Sequence, residues 1–260
     1  MMWIFKKRLI AVSLFGLSAL SLMCGNAHAD GVTDLKAALA KLQGNASLKA
    51  VLEAKSWNRQ GEGKDAEEMQ SVVSVSIEDS ARGMQVLYSK DLLSRLQAEE
   101  QAKQKDPKAK MALAKALKEF NSAELRPLLS AATGLSSRLE TAIFKSEKND
   151  TFNNKPARLL SFDIPVEHLS EKDRKYIKKY ESKLDVWIDS DGTPLASRSS
   201  EVASGRAFVV ISFDVKEDES LVYGLVGDRL VVLKKEWKNL SSGAGERNET
   251  RVTKTLQVQT

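Results

Sequence analysis

His168 is the one histidine beyond residue 29, and histidine is the side chain whose ordinary pKa suits it to general acid–base work near neutral pH. A Ser-His-Asp site built on it would need partners remote in sequence, because no G-x-S-x-G, Ser-x-x-Lys or H-E-x-x-H pattern occurs. Its place just ahead of Ser170, a helix-capping residue type, points to a surface or capping role. Asp185, Asp189 and Asp191 have the alternate spacing of part of a calcium loop, which also needs a bidentate glutamate at its end. Trp187 stands where an acid is required and no glutamate follows at the needed distance, so Asp191-Gly192 reads as a tight turn. Gly61-x-Gly63 and Gly243-x-Gly245 each lack a third glycine and a preceding buried strand, which makes them loop glycines and not phosphate cradles. Paired carboxylates for glycoside hydrolysis need an aromatic-lined cleft. Aromatics are only 6% of the chain, and Trp57, Trp187 and Trp237 are expected on sheet faces. The sequence therefore assigns no catalytic residue, no metal ligand and no ligand-binding residue, and it implies no cofactor.

The elements that hold these residues follow from periodicity. Leu35, Ala38, Leu39 and Leu42 form one stripe of a helix over Thr33 to Gln43. Leu48, Ala50, Leu52 and Ala54 then alternate with polar residues, as do Val73, Val75 and Ile77, which is the pattern of half-buried antiparallel strands. Met84 to Tyr88 is a third strand. From about 90 to 142 the period becomes helical. Leu92, Leu93 and Leu96 open this insertion, Asp106-Pro107 restarts it, and a last helix capped by Ser122 carries Leu125, Leu128, Leu129, Ala132, Leu135 and Leu139 on one face. Strand patterns then return: Leu160 to Ile164, Leu184 to Ile188, Thr193 to Val202, Val209 to Val215, Leu221 to Val226, Arg229 to Lys235 and Val252 to Val258. A short helix behind Ser170 carries Lys172, Arg174, Lys175, Lys178 and Lys179 opposite Tyr176, Ile177 and Tyr180, a basic face suited to an anionic membrane or an acidic partner. About nine strands with helices confined to the start and middle make an α+β chain with a single curved antiparallel sheet, an incomplete barrel covered by helices.

The first 29 residues have the layout of a cleaved, bacterial-type export signal. Lys6, Lys7 and Arg8 precede an apolar run from Leu9 to Met23, and Ala27-His28-Ala29 is a cleavage site. The run includes Ser13, Gly16, Ser18 and Ser21 and falls short of the roughly 20 residues of a spanning helix. Met23 before Cys24 lacks the small residue of lipoprotein signals, so lipidation is not expected. Residues 30–260 are then one exported α+β domain without a transmembrane segment, holding 37 basic and 35 acidic residues and no cysteine. A net charge of +2 gives little footprint for nucleic acid, and without thiols there is no disulfide framework and no thiol nucleophile. A chain of this size can bury about 70% of the surface its unfolded form exposes.

This order of elements resembles the periplasmic lipoprotein-carrier superfamily, the LolA/RseB-like half-barrels. The likeness rests on the opening helix, the paired strands after it, the helical middle and the hairpin around Leu184-Asp185-Val186-Trp187-Ile188-Asp189-Ser190-Asp191-Gly192-Thr193-Pro194. The resemblance implies an incomplete antiparallel barrel with an acyl chain or other apolar ligand held between sheet and helices. The expected function is that of a non-catalytic periplasmic protein binding an apolar ligand or a lipoprotein acyl chain. The alternative is an envelope protein-interaction or stress-sensing module without a lipid ligand.

Overall fold

The computed structural model describes residues 30–207 and 211–259, so the export signal expected at 1–29 lies outside the described residues. The chain runs α1 (Gly31–Lys41), β1 (Leu48–Gln60), β2 (Glu67–Ser80), β3 (Gly83–Leu87), α2 (Lys90–Lys105), α3 (Ala112–Ala116), α4 (Ser122–Leu129), α5 (Ala131–Thr141), β4 (Ile143–Phe152), β5 (Lys155–Asp163), α6 (Glu171–Arg174), β6 (Ile177–Ile188), β7 (Pro194–Ala207), β8 (Ile211–Val226), β9 (Arg229–Gly243) and β10 (Glu246–Val258). The strands form one sheet in the order β3-β2-β1-β10-β9-β8-β7-β6-β5-β4. All of its ladders are antiparallel, and the sheet does not close: β3 and β4 are its two edges. The α+β class and the open antiparallel sheet are those the periodicity predicts.

Topology explains why the helices cover one face. β3 ends at one edge and β4 begins at the other, so the segment from 88 to 142 has to cross the width of the sheet. It does so as helices, because a backbone crossing an apolar face must satisfy its own hydrogen bonds. The inner face beneath is apolar: Leu52 and Ala54 on β1, Val75 and Ile77 on β2, Leu256 on β10, Leu230 and Val232 on β9, Leu184, Val186 and Ile188 on β6, Leu160 and Phe162 on β5. They pack with Leu35 and Leu39 of α1 and with Leu125, Leu128, Leu129, Leu135 and Leu139 of α4 and α5 in one cluster. Burying each such side chain contributes roughly 1.5–3 kcal/mol.

The structure corrects several expectations. The last long helix of the insertion is two helices. Ser130 breaks it at φ −142° and ψ 63°, and the Nε of Arg229 donates to the Leu129 carbonyl, satisfying an oxygen that a longer helix would have used. Its cap is Asn121, whose side chain accepts from Glu124 N at 3.1 Å, one residue before the expected Ser122. Asp106-Pro107 does not restart a helix. Asp106 instead accepts from Lys108 N at 2.8 Å in a turn, and helix resumes at Ala112.

The expected strands at Val209 to Val215 and Leu221 to Val226 are one long strand, β8, with a register shift at Val222/Tyr223; residues 208–210 lie outside the described residues. Among the described residues there are ten strands, one more than periodicity indicates, because most residues of β4 are exposed and leave no alternation. The basic helix is also shorter than expected. α6 ends at Arg174, and Ile177 to Tyr180 start β6 because Arg206 N bonds Tyr176 O at 2.9 Å. Gly205 permits that approach, since a Cβ there would lie 1.9 Å from the Tyr176 oxygen.

Candidate functional site

The inner face divides along its strands into a half under α4 and α5 and a half beyond them. Where the halves meet, a cleft of about 120 Å³ opens between the helices and β8–β9. Leu128, Ala131 and Leu135 form its helix side, and Leu221, Tyr223 and Val232 its sheet side. Gly134 stands at the cleft on α5 with open space where a Cβ would sit. Arg138, Glu219 and Lys235 make a charged rim: Arg138 Nη1 donates to Glu219 Oε1 at 3.2 Å and its Nη2 to Ser199 Oγ at 3.2 Å, while Lys235 Nζ lies 2.7 Å from Glu219 Oε2. At the floor, Tyr223 OH and Ser197 Oγ share a buried hydrogen bond of 2.7 Å, and burial pushes the Tyr223 hydroxyl up to about 12. A neutral, uncharged floor below a charged rim suits an apolar body with a polar end.

Beyond the helices the same strands turn polar on the same face. Glu201 of β7 stands directly opposite Glu217 of β8, a like-charged pair that costs stability unless each carboxylate finds other partners. Tyr180 OH donates to Glu201 Oε2 at 3.0 Å, and Asn239 Nδ2 reaches Glu217 Oε2 at 3.5 Å. Burial, together with the charge and hydrogen bond of Glu201, holds the Tyr180 hydroxyl up at about 12, so it stays a donor.

Two buried cations fix the helices to the sheet. Arg229, 5% exposed on β9, bonds Leu129 O, Ala46 O at 3.1 Å, Ser130 Oγ at 3.3 Å and the Asp79 carboxylate of β2. Lys254, 2% exposed on β10, reaches Glu119 Oε2 and Glu124 Oε2, each at 2.9 Å, and the Glu119 carbonyl at 3.1 Å. Burial raises the Glu124 pKa, but the hydrogen bond and charge of Lys254 outweigh it and hold the carboxyl below its ordinary value. Neither cation was singled out in the sequence. For Lys254 the signal was there, since it occupies the inward position between Val252 and Leu256.

The residues that invited chemical readings are kept apart. His168 is exposed, and its Nδ1 lies 3.0 Å from Thr141 Oγ1 at the end of α5. Asp191 Oδ1 caps Thr193 N at 2.9 Å inside the turn, while Asp185 accepts from Ser161 Oγ at 2.6 Å on the outer face. Hydrogen bonds from Thr193 hold the Asp191 carboxyl below its usual range. Trp57 and Trp187 lie on the outer face: Arg251 stacks 4.8 Å from the Trp57 ring centre, and Trp187 Nε1 donates to Asp150 Oδ2 at 3.1 Å. Trp237 pairs with Val252 and so lies on the inner face, which leaves the three indoles unable to form one sugar platform. The Gly61–Gly63 and Gly243–Gly245 segments are the β1–β2 and β9–β10 turns. Among the described residues no cluster of three or more His, Cys, Asp or Glu is placed to hold a metal ion. No helix among them is long and apolar enough to cross a membrane.

No protein-family model matches the chain, and no curated protein matches it. The crystal structure of a LolA superfamily protein from Nitrosomonas europaea is similar at 10% identity, over 88% of this chain and 94% of that chain, with a TM-score of 0.27. Backbones that superpose this poorly give no residue correspondence between the two chains.

Proposed function

We propose that residues 30–260 form an exported, non-catalytic binding protein that admits an apolar ligand, such as an acyl chain, between its sheet and the α4–α5 pair. The observation that carries this reading is the apolar cleft at Gly134, Leu135, Leu221 and Tyr223 with its rim of Arg138, Glu219 and Lys235. Its volume of about 120 Å³ is below the roughly 300–1,000 Å³ of occupied small-molecule sites, so the reading requires α5 to move aside when a ligand enters. The break at Ser130 and the extended residue Ala142 bound α5 and give it two places to pivot. The signal-like layout of residues 1–29 supports export to the periplasm.

Gly134→Leu tests the reading without attacking the fold. The new side chain stands in open space at the exposed mouth of the cleft, where it obstructs entry, and replacing a helical glycine removes a penalty of up to about 1 kcal/mol. The variant should melt no lower than the parent and lose uptake of a fatty acid such as palmitate. Undiminished uptake would refute the cleft as the ligand site.

A second reading, a protein-interaction module of the envelope, is favoured by one feature. The edge strand β4 is solvent-exposed over most of its ten residues, with Ile143 52% and Phe144 45% exposed at its start. An unpaired edge can accept a strand from a partner. Loss of a cross-linked partner on Ser146→Pro, with fatty acid uptake intact, would support that reading.

A further inference from the structure

A larger pocket, about 540 Å³, lies at the other end of the inner face, away from the cleft, under the excursion between β5 and β6. The chain leaves β5 at Asp163, passes through Ile164, Pro165 and Val166 and then α6, and returns as β6; Ile164 N to Ser182 O at 2.9 Å ties its base. The walls are of two kinds. Ile164, Pro165, Val166 and Ile177 supply apolar surface, and Arg174, Lys178 and Lys183 supply positive charge.

The acids at this pocket are already engaged. Glu181 lies 2.9 Å from Lys183, and Asp163 lies 3.0 Å from Lys145. The hydrogen bond and charge of Glu181 hold the Lys183 pKa above its ordinary value, as expected of a satisfied pair. Arg174 and Lys178 are left without an acidic partner among the described residues, and the Arg174 Nε is buried there with no acceptor. Arg174 and Lys178 thus bring two positive charges to the pocket wall that no acid neutralises, and an oxyanion there would pair with them.

We infer that this pocket binds an oxyanion of phosphate or carboxylate chemistry carried on an apolar body, with Arg174 and Lys178 on the anion and Ile164, Pro165, Val166 and Ile177 against the apolar part. The site stands whether or not the cleft at Gly134 takes a ligand. It also gives the basic run of the sequence a role: of Lys172, Arg174, Lys175, Lys178 and Lys179, Arg174 and Lys178 face one cavity.

The test is calorimetric titration of the purified protein with octyl phosphate, inorganic phosphate and octanol, with the ³¹P shift as a second readout. Octyl phosphate should bind at least tenfold more tightly than either half alone. With the cleft obstructed by Gly134→Leu in every variant, Arg174→Gln should weaken it by about tenfold and Arg174→Lys should recover part of that loss. Equal binding by inorganic phosphate would overturn the apolar half of the inference, and equal binding by octanol the anionic half. Unchanged affinity in Arg174→Gln, or no binding by octyl phosphate, would overturn the site.

Discussion

The inner face of the sheet is two surfaces built from the same strands. On β9, Leu230 and Val232 lie under α4 and α5, while Trp237 and Asn239 lie beyond them; on β8, Tyr223 and Leu221 give way to Glu219 and Glu217; on β1, Leu52 and Ala54 give way to Ser56 and Asn58. The change falls where α4 and α5 stop, and on β1 the polar positions lie beside α3. Apolar side chains occupy the positions that α4 and α5 cover, and the positions beyond that pair are polar and bond across strands, as Ser56 does with Ser71 at 2.7 Å and Asn58 with Thr250 at 2.9 Å, in a pocket they share with Ala112, Lys115 and Ala116 of α3. The cover is therefore written into the sheet as well as into the helices. The proposed ligand cleft sits at that boundary, with an apolar wall and a charged rim side by side.

The contrast can be broken most severely at its fastening. Arg229→Ala removes a buried cation that holds Leu129 O, Ala46 O and Asp79 together, and should cost about 3–5 kcal/mol in chemical denaturation. Leu184→Ala, in the fully buried centre of the covered half, should cost about 2–5 kcal/mol by cavity formation. A cost below about 1 kcal/mol for either would mean that the helices are not bound to the sheet as described.

Lys254→Met keeps most of the volume and loses the ion pairs. Because Glu119 and Glu124 are 30% and 43% exposed and can hydrate when released, the loss should be only about 1–2 kcal/mol. The same variant sharpens the account through pH. Glu124 has a folded pKa below its unfolded 4.5, so its contribution is present above pH 4.5 and is lost as pH falls through the lower folded value. Melting temperature should therefore fall less steeply on acidification in Lys254→Met than in the parent. The smallest effect belongs to the uncovered half. Glu217→Gln relieves repulsion with Glu201 and should shift stability by no more than about 0.5 kcal/mol in either direction.

Much of this architecture was legible in the residues. The alternation of Val73, Val75 and Ile77 and of Leu184, Val186 and Ile188 placed strands and their inward faces correctly, and Asp191-Gly192 marked a turn. Gly192 is needed there, since it has φ +86° and a Cβ would sit 2.5 Å from the Asp34 carbonyl. What periodicity could not convey was long-range pairing. The break at Ser130 depends on Arg229, about a hundred residues away, and the early end of α6 depends on β7 pairing with Tyr176. β4 carries no pattern because an exposed edge has no buried face to impose one. The cleft itself was not readable, because it combines α4, α5, β8 and β9, and no local motif spans them.

Native mass spectrometry of the protein purified from cells that express the full chain, with organic extraction of whatever accompanies it, decides whether the cleft carries a ligand. One discrete added mass that extracts as an acyl-bearing molecule is expected on the parent and not on Gly134→Leu. An unliganded parent that also fails to take up added palmitate would contradict that expectation.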